Sequence, residues 1–174
     1  MADYARMDET TLAASAEAAF PLSGRFPAPV FVVTACADGR RAGCVVGFAT
    51  EVSIHPARFL ACISRQNATF PVAMRASRLA VHSLTEQEHG IARLFGGETG
   101  DEVDKFSLCE WIPAEDGTPI LTACPTWFIG RILERIDLGD HVGCLLGPER
   151  WRDGGEIVQL TTRDVSDITP GHPA

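Results

Sequence analysis

No run of basic residues occurs in this chain, and its acids outnumber its bases by 23 to 15, a net charge of −8. Nucleic acid and anionic membrane are therefore poor partners. No apolar segment approaches the roughly 20 residues of a membrane-crossing helix. The first twenty residues carry acids and alanines where a secretory signal would need a basic start and an unbroken apolar stretch. A cytoplasmic protein is expected. The cysteines are Cys36, Cys44, Cys62, Cys109, Cys124 and Cys144, with at least seven residues between neighbours. No CxxC pair is left for zinc or dithiol exchange, so no metal site is expected, and the thiols read as buried, reduced, small hydrophobes. GxGxxG, GxxxxGK, HExxH and GxSxG are all missing, which removes support for Rossmann sites, P-loops, zincins and nucleophile elbows. Chemistry carried by a bound cofactor remains, or no chemistry.

What is there has the composition of a soluble globular protein, 45% hydrophobic and 22% charged over 174 residues, long enough for one domain with a real core. Residues 1–24 read as a lead-in with a short helix over residues 10–20, residues 25–163 as the domain, and residues 164–174 as a flexible tail. The run PVFVVTAC has the β-branched composition of a buried strand, and Asp38-Gly39 marks a hairpin turn.

Residues 41–69, RAGCVVGFATEVSIHPARFLACISRQNAT, organise the rest. Two strand-like runs, residues 43–50 and 58–63, flank the turn-like His55-Pro56, and a polar cluster follows. Glycine inside a strand weakens it unless a bulge, a barrel corner or the close approach of a ligand requires it, so Gly43 and Gly47 leave both explanations open. Asn67 or Thr69 can cap a helix running to Ser77, with Pro71 in its first turn. Serine, arginine and amide groups at such a start suit an anion, and they equally suit a plain capped loop.

Further strands are expected over residues 78–84, 110–112, 119–121, 126–136, 141–147 and 156–162, with a hairpin turn at residues 152–155. On the 126–136 strand, alternation puts Arg131 and Arg135 on one face. Thr85 caps a helix that stops at Gly96-Gly97, and residues 98–106 read as an acidic, solvated loop. Many short strands with two or three helices indicate a mainly β (α+β) fold built on an antiparallel barrel.

In order and spacing, PVFVVTACADGRRAG, GFATEVSIHPARFLACISRQNAT, SRLAVHSL, DKF at residues 104–106 and GDH at residues 139–141, followed by Gly147, resemble the flavin reductase family. That resemblance covers about residues 26–147 and implies an FMN-binding split antiparallel β-barrel with a few short helices. It implies an NADH- or NADPH-dependent FMN oxidoreductase, a homodimer with flavin near the interface, and reduced flavin passed to a monooxygenase. By the same resemblance the flavin ring lies along Val46, Gly47, Phe48, Ala49 and Thr50, whose main-chain N–H groups meet its pyrimidine edge. The FMN phosphate falls to Ser64, Arg65, Asn67 and Thr69, Lys105 and Phe106 close the site, and His141 stands near the nicotinamide and flavin rings as the catalytic group. A turn-closing role for His141, bonded to Asp140, stays open beside it. Val45 and Gly47 replace hydroxyl residues usual on that strand, and the family's aromatic closing strand is not evident beyond Gly147. Two other classes remain: a non-catalytic protein that stores or senses flavin, and a split-barrel relative using a deazaflavin or haem.

Overall fold

The run after Pro29 forms β1 (Phe31–Ala37) in the computed structural model, which describes residues 25–171. The helix expected over residues 10–20 lies outside them. β1 is buried along almost its whole length, with Phe31, Val33 and Ala35 in one core cluster and Val32, together with Val30 just ahead of the strand, in another. A strand covered on both faces has no use for polar alternation, which explains its composition. Asp38 and Gly39 both have positive φ, 51° and 74°, the geometry a two-residue hairpin requires. The chain returns as β2 (Arg40–Val46).

Residues 43–50, expected as one strand, are two. β2 ends at Val46, and after Gly47 and Phe48 the chain restarts as β3 (Ala49–Ser53), which pairs with β4 (Arg58–Ser64) and not with β1. With β5 (Arg78–Ser83), β8 (Trp127–Asp137) and β9 (His141–Arg152), these strands form a seven-stranded sheet in the order β2-β1-β5-β8-β9-β4-β3. Its edge strands are thus consecutive in the chain. Laid flat, six strand spacings would part them by roughly 29 Å, whereas the Val46-to-Ala49 link spans at most roughly 11 Å. The sheet must curl until its edges meet, and Cys62 N–H donates to the Phe48 carbonyl (2.9 Å) at that junction. A separate two-stranded sheet, β6 (Trp111–Pro113) with β7 (Pro119–Leu121), completes the expected split barrel.

The barrel interior is filled by Phe31, Val33, Val46, Phe59, Ile63, Leu79 and Leu146, and the Phe59 ring meets those of Phe31 and Phe128 edge-on at 5.4 and 5.1 Å. A second cluster lies outside β1, under α2 (His89–Gly97) and β7, and includes Phe95, Phe106, Leu121 and Leu160. Gly43 belongs to that packing: a Cβ there would stand 2.8 Å from the Phe95 ring. The helix expected to reach Ser77 is only α1 (Phe70–Ala73). Thr69 makes no side-chain cap, and Asn67 Oδ1 accepts instead from Thr69 N–H (2.8 Å), closing a turn on itself. At the far end Arg135 donates to the carbonyls of Ala73 (3.2 Å) and Ala76 (2.6 Å). Those bonds satisfy the last turn and free the chain to enter β5.

Five other expectations change. On β8 the register shifts between Ile132 and Glu134, so Arg131 opposes Gly147 while Arg135 opposes Cys144. One bulged residue thereby sends the two arginines to different faces. No hairpin forms at residues 152–155, since β9 itself runs to Arg152, and residues 156–162 make only an isolated bridge between Thr161 and Pro29. The segment beyond is packed, Val165 and Ile168 lying against the second cluster. All six cysteines are free, but only Cys44, Cys124 and Cys144 are buried. Among the described residues no helix is long and apolar enough to cross a membrane.

His82 ties the layers together from a fully buried position. Its Nε2 accepts from Leu121 N–H (3.0 Å), so the ring proton belongs on Nδ1, which donates to the Val32 carbonyl (3.0 Å). Burial pushes this imidazole down to about 4. The folded value lies below the unfolded one of about 6.5, so the stabilisation is complete above pH 6.5 and is lost as pH falls towards 4, by at most about 3 kcal/mol. Urea unfolding between pH 7.5 and 4.5 should show this loss, and His82→Gln, though less stable at pH 7.5, should give a flatter profile.

Candidate functional site

The curled junction opens a cleft of about 300 Å³ lined by Val45, Val46, Gly47 and Phe48 at the β2–β3 corner, by Cys62 to Ser64 at the end of β4, and by Asn67 and His141. Phe26, Ala28, Cys44 and Thr162 complete its wall. Ser64 is the last residue of β4 and lies directly opposite His141, the first of β9, so the register brings polar cluster and histidine together. Ala49 opposes Ala61, and the bond from Cys62 N–H reaches Phe48, one pair away. By the alternation of an antiparallel ladder, the N–H and C=O of Ala49 therefore point to the unpaired side of the edge strand. Apolar walls, one free strand edge and a few polar side chains are what a planar ring with a polar rim requires.

Six of the expected site residues share this cleft: Val46, Gly47, Phe48, Ser64, Asn67 and His141. Ala49 packs against the barrel core, and Thr50 is exposed on β3. Thr69, Lys105 and Phe106 line a second cavity of about 350 Å³, bounded by Gly39 to Gly43 and by residues 100–104. The acidic loop is solvated only in part, because its end turns inward. Lys105 is buried and donates to the carbonyls of Gly43 (3.3 Å) and Phe95 (3.0 Å), and Phe106 stacks edge-on between Phe95 and Trp111. Arg65 is in neither cavity. Its Nε donates to the Gly139 carbonyl (2.9 Å) and its other arm pairs with Asp137 (2.9 Å).

The main-chain donors of residues 64–70 are mostly consumed locally: Arg65 N–H by Asp140, Asn67 N–H by Ser64 and Phe70 N–H by Asn67. An anion would thus meet side chains here more than a helix start. His141 sits with Nδ1 2.8 Å from Asp140 Oδ1 and with its ring edge-on to Phe48, centroids 5.2 Å apart. That bond, with the imidazole beside it, holds the Asp140 carboxyl below the usual carboxylate range. The Gly139 N–H, and then Arg65, do the same for Asp137.

Residues 23–149 match the flavin reductase like domain. The chain belongs to that family. The FMN reductase (NADH) RutF 2 of Methylorubrum extorquens (strain PA1) is 29% identical over 129 residues, 74% of each chain. A flavin reductase of Pseudomonas putida is 31% identical over 119 residues, 68% of each. In the solved structure of a flavin reductase domain protein from Arthrobacter sp. FB24, 85% of this chain superposes on 89% of that one with a TM-score of 0.72. At 20% identity that likeness is one of fold.

Two residues not expected at the site also reach the cleft, Phe26 from the irregular lead-in to β1 and Thr162 from the end of the run expected as a last strand. Thr162 Cγ2 would lie 3.2 Å from a Cβ on Gly47, so the glycine makes room for the C-terminal strap that roofs the corner. Cys44 and Cys62 stood inside strand runs, where a thiol reads as core. Burial raises both, Cys44 to about 11, leaving the protonated thiol and no nucleophile at neutral pH. Alkylation of the native protein at pH 8, mapped by mass spectrometry, should accordingly spare Cys44, Cys124 and Cys144. Efficient labelling of Cys44 before unfolding would contradict this arrangement.

Proposed function

We propose that the protein is a flavin reductase that holds FMN in the junction cleft and reduces it with NADH or NADPH. The observation that carries the proposal is the free main-chain edge at Ala49, the residue after Phe48, which itself shares one apolar cleft with Ser64, Asn67 and His141. When bound, FMN supplies a hydride acceptor at its N5 position and a ring that gains negative charge on the pyrimidine side. Val46, Gly47, Phe48 and Ala49 would hold that ring, Ala49 N–H offering a fixed donor to the growing charge. Ser64 and Asn67 offer polar contacts to the tail, while Thr69 and Lys105 line the second cavity beside β2. With Asp140 accepting from Nδ1, the Nε2 of His141 is the nitrogen left for substrate, able to accept a hydrogen bond or, when protonated, to donate one.

Val45 and Gly47 bring no hydroxyl to the ring, and Phe48 at the corner is 61% exposed. Fewer side-chain bonds and an open cleft favour a flavin that exchanges, and so one delivered in reduced form to a cytoplasmic monooxygenase. The edge strand β3 exposes Val52 by 49%, and Ile54, just past its end, is 78% exposed. An uncovered apolar edge is a liability that a second copy would cover, so the working form is a homodimer with flavin near the interface.

Anaerobic addition of NADH or NADPH to the FMN-loaded protein should bleach the flavin band, whereas persistent colour with both would leave only a carrier. His141→Ala should slow bleaching by about 10²-fold with FMN still bound. Unchanged bleaching would return His141 to a turn-closing role. Light scattering should give twice the chain mass, falling towards the monomer in Ile54→Glu; a monomeric native protein would remove the shared-edge proposal.

A further inference from the structure

We propose that Arg65 is a positioning residue that fixes the orientation of His141, and that it is not a ligand of the flavin phosphate. This rests on the reading of His141 as the group facing the reacting rings. Arg65 follows directly on the end of β4 and grips the turn before His141 at three places. Its N–H donates to the Asp140 carbonyl (2.9 Å), its Nε to the Gly139 carbonyl (2.9 Å), and its terminal nitrogen pairs with Asp137 Oδ2 (2.9 Å). The guanidinium also lies over the Phe70 ring, 5.7 Å from its centroid, which limits where the fork can swing.

The turn itself is exposed and short. Asp137 Oδ1 accepts from Gly139 N–H (3.1 Å), Gly139 adopts φ of 93°, and Leu138 N–H donates to the His141 carbonyl (3.0 Å). Asp140, whose backbone Arg65 holds, then places its carboxylate 2.8 Å from His141 Nδ1. The guanidinium thus holds Asp137 and Gly139, and the one peptide link from Gly139 to Asp140 carries that hold to the carboxylate bonded to the imidazole. The Asp137 and Asp140 side chains are each 76% exposed, and ion pairs in such water contribute little to stability. A planar fork with two fixed donors does, however, define geometry in a way a flexible ammonium does not. The charge of Arg65 is already met by Asp137, and the side chain lines neither cavity, which argues against a phosphate role.

The test compares Arg65→Ala and Arg65→Lys with the native protein. Titrations with FMN and with riboflavin report the phosphate, anaerobic flavin reduction reports the chemistry, and the ¹⁵N signals of the flavin-free His141 ring report its orientation. In Arg65→Ala both flavins should bind within about twofold of native while reduction slows by about tenfold, since small misplacements of a reacting group are costly. The His141 nitrogen signals should move from a pure Nδ1–H form towards a mixture of tautomers, and Arg65→Lys should recover both only in part. Selective loss of FMN over riboflavin with unmoved nitrogen signals would make Arg65 a phosphate ligand and overturn the proposal. Unmoved signals with unchanged reduction would overturn it as well. If instead the signals move while His141→Ala reduces flavin normally, the clamp is upheld and the catalytic reading of His141 fails.

Discussion

The structure depends on one covalent constraint: two residues, Gly47 and Phe48, join strands at opposite edges of a seven-stranded sheet. No flat or gently twisted sheet satisfies that link, so the curl follows from chain connectivity before any side chain is considered. Once the edges meet, the inner face has to be filled, and Phe59 with Phe31 and Phe128 at its edges does so. The outer face of β1 then needs its own cover, which Phe95 of α2, Phe106 of the inward-turning loop and Leu121 of β7 supply. His82, bonded to Val32 and Leu121, is the polar rivet between these layers.

That same junction creates the site. A corner where β2 leaves one neighbour and β3 takes another leaves main-chain groups without strand partners, and a cleft beside them. The β4–β9 register sets Ser64 opposite His141, and Arg65 next to it reaches the turn that precedes the histidine. Fold and site are therefore not separate features, since the closure that completes the core also leaves the open edge. Charge is handled locally in the same economical way, Arg65 against Asp137 and His141 against Asp140, with the thiols of the cleft kept protonated by burial.

Much of this was legible in the amino-acid order. The buried strand β1 and the Asp38-Gly39 hairpin follow from residue types at fixed spacing, Thr85 caps the single 3-10 turn Glu86–Glu88 that leads into α2, and the family was legible as a resemblance in the order of the motifs. Three things did not. The 43–50 run was continuous in composition but not in pairing, because nothing local says that a strand changes neighbour. The single bulge in β8 altered the face of Arg135, since a period of two loses its phase after one extra residue. The helix after Thr69 ends early where Arg135, some sixty residues away in the chain, caps its last carbonyls, a partner available only once β8 lies alongside.

By itself, then, the sequence determined many of the local conformations, because hairpin glycines, capping side chains and β-branched runs act over a few bonds, and its motif order carried the family. Only the tertiary structure decided which polar groups meet: that Lys105 turns inward to Gly43 and Phe95, that Arg65 holds the His141 turn, and that Thr162 roofs Gly47. Those partnerships join residues far apart in the chain. Their hydrogen bonds are set by barrel closure and strand register, quantities that no stretch of residues carries alone.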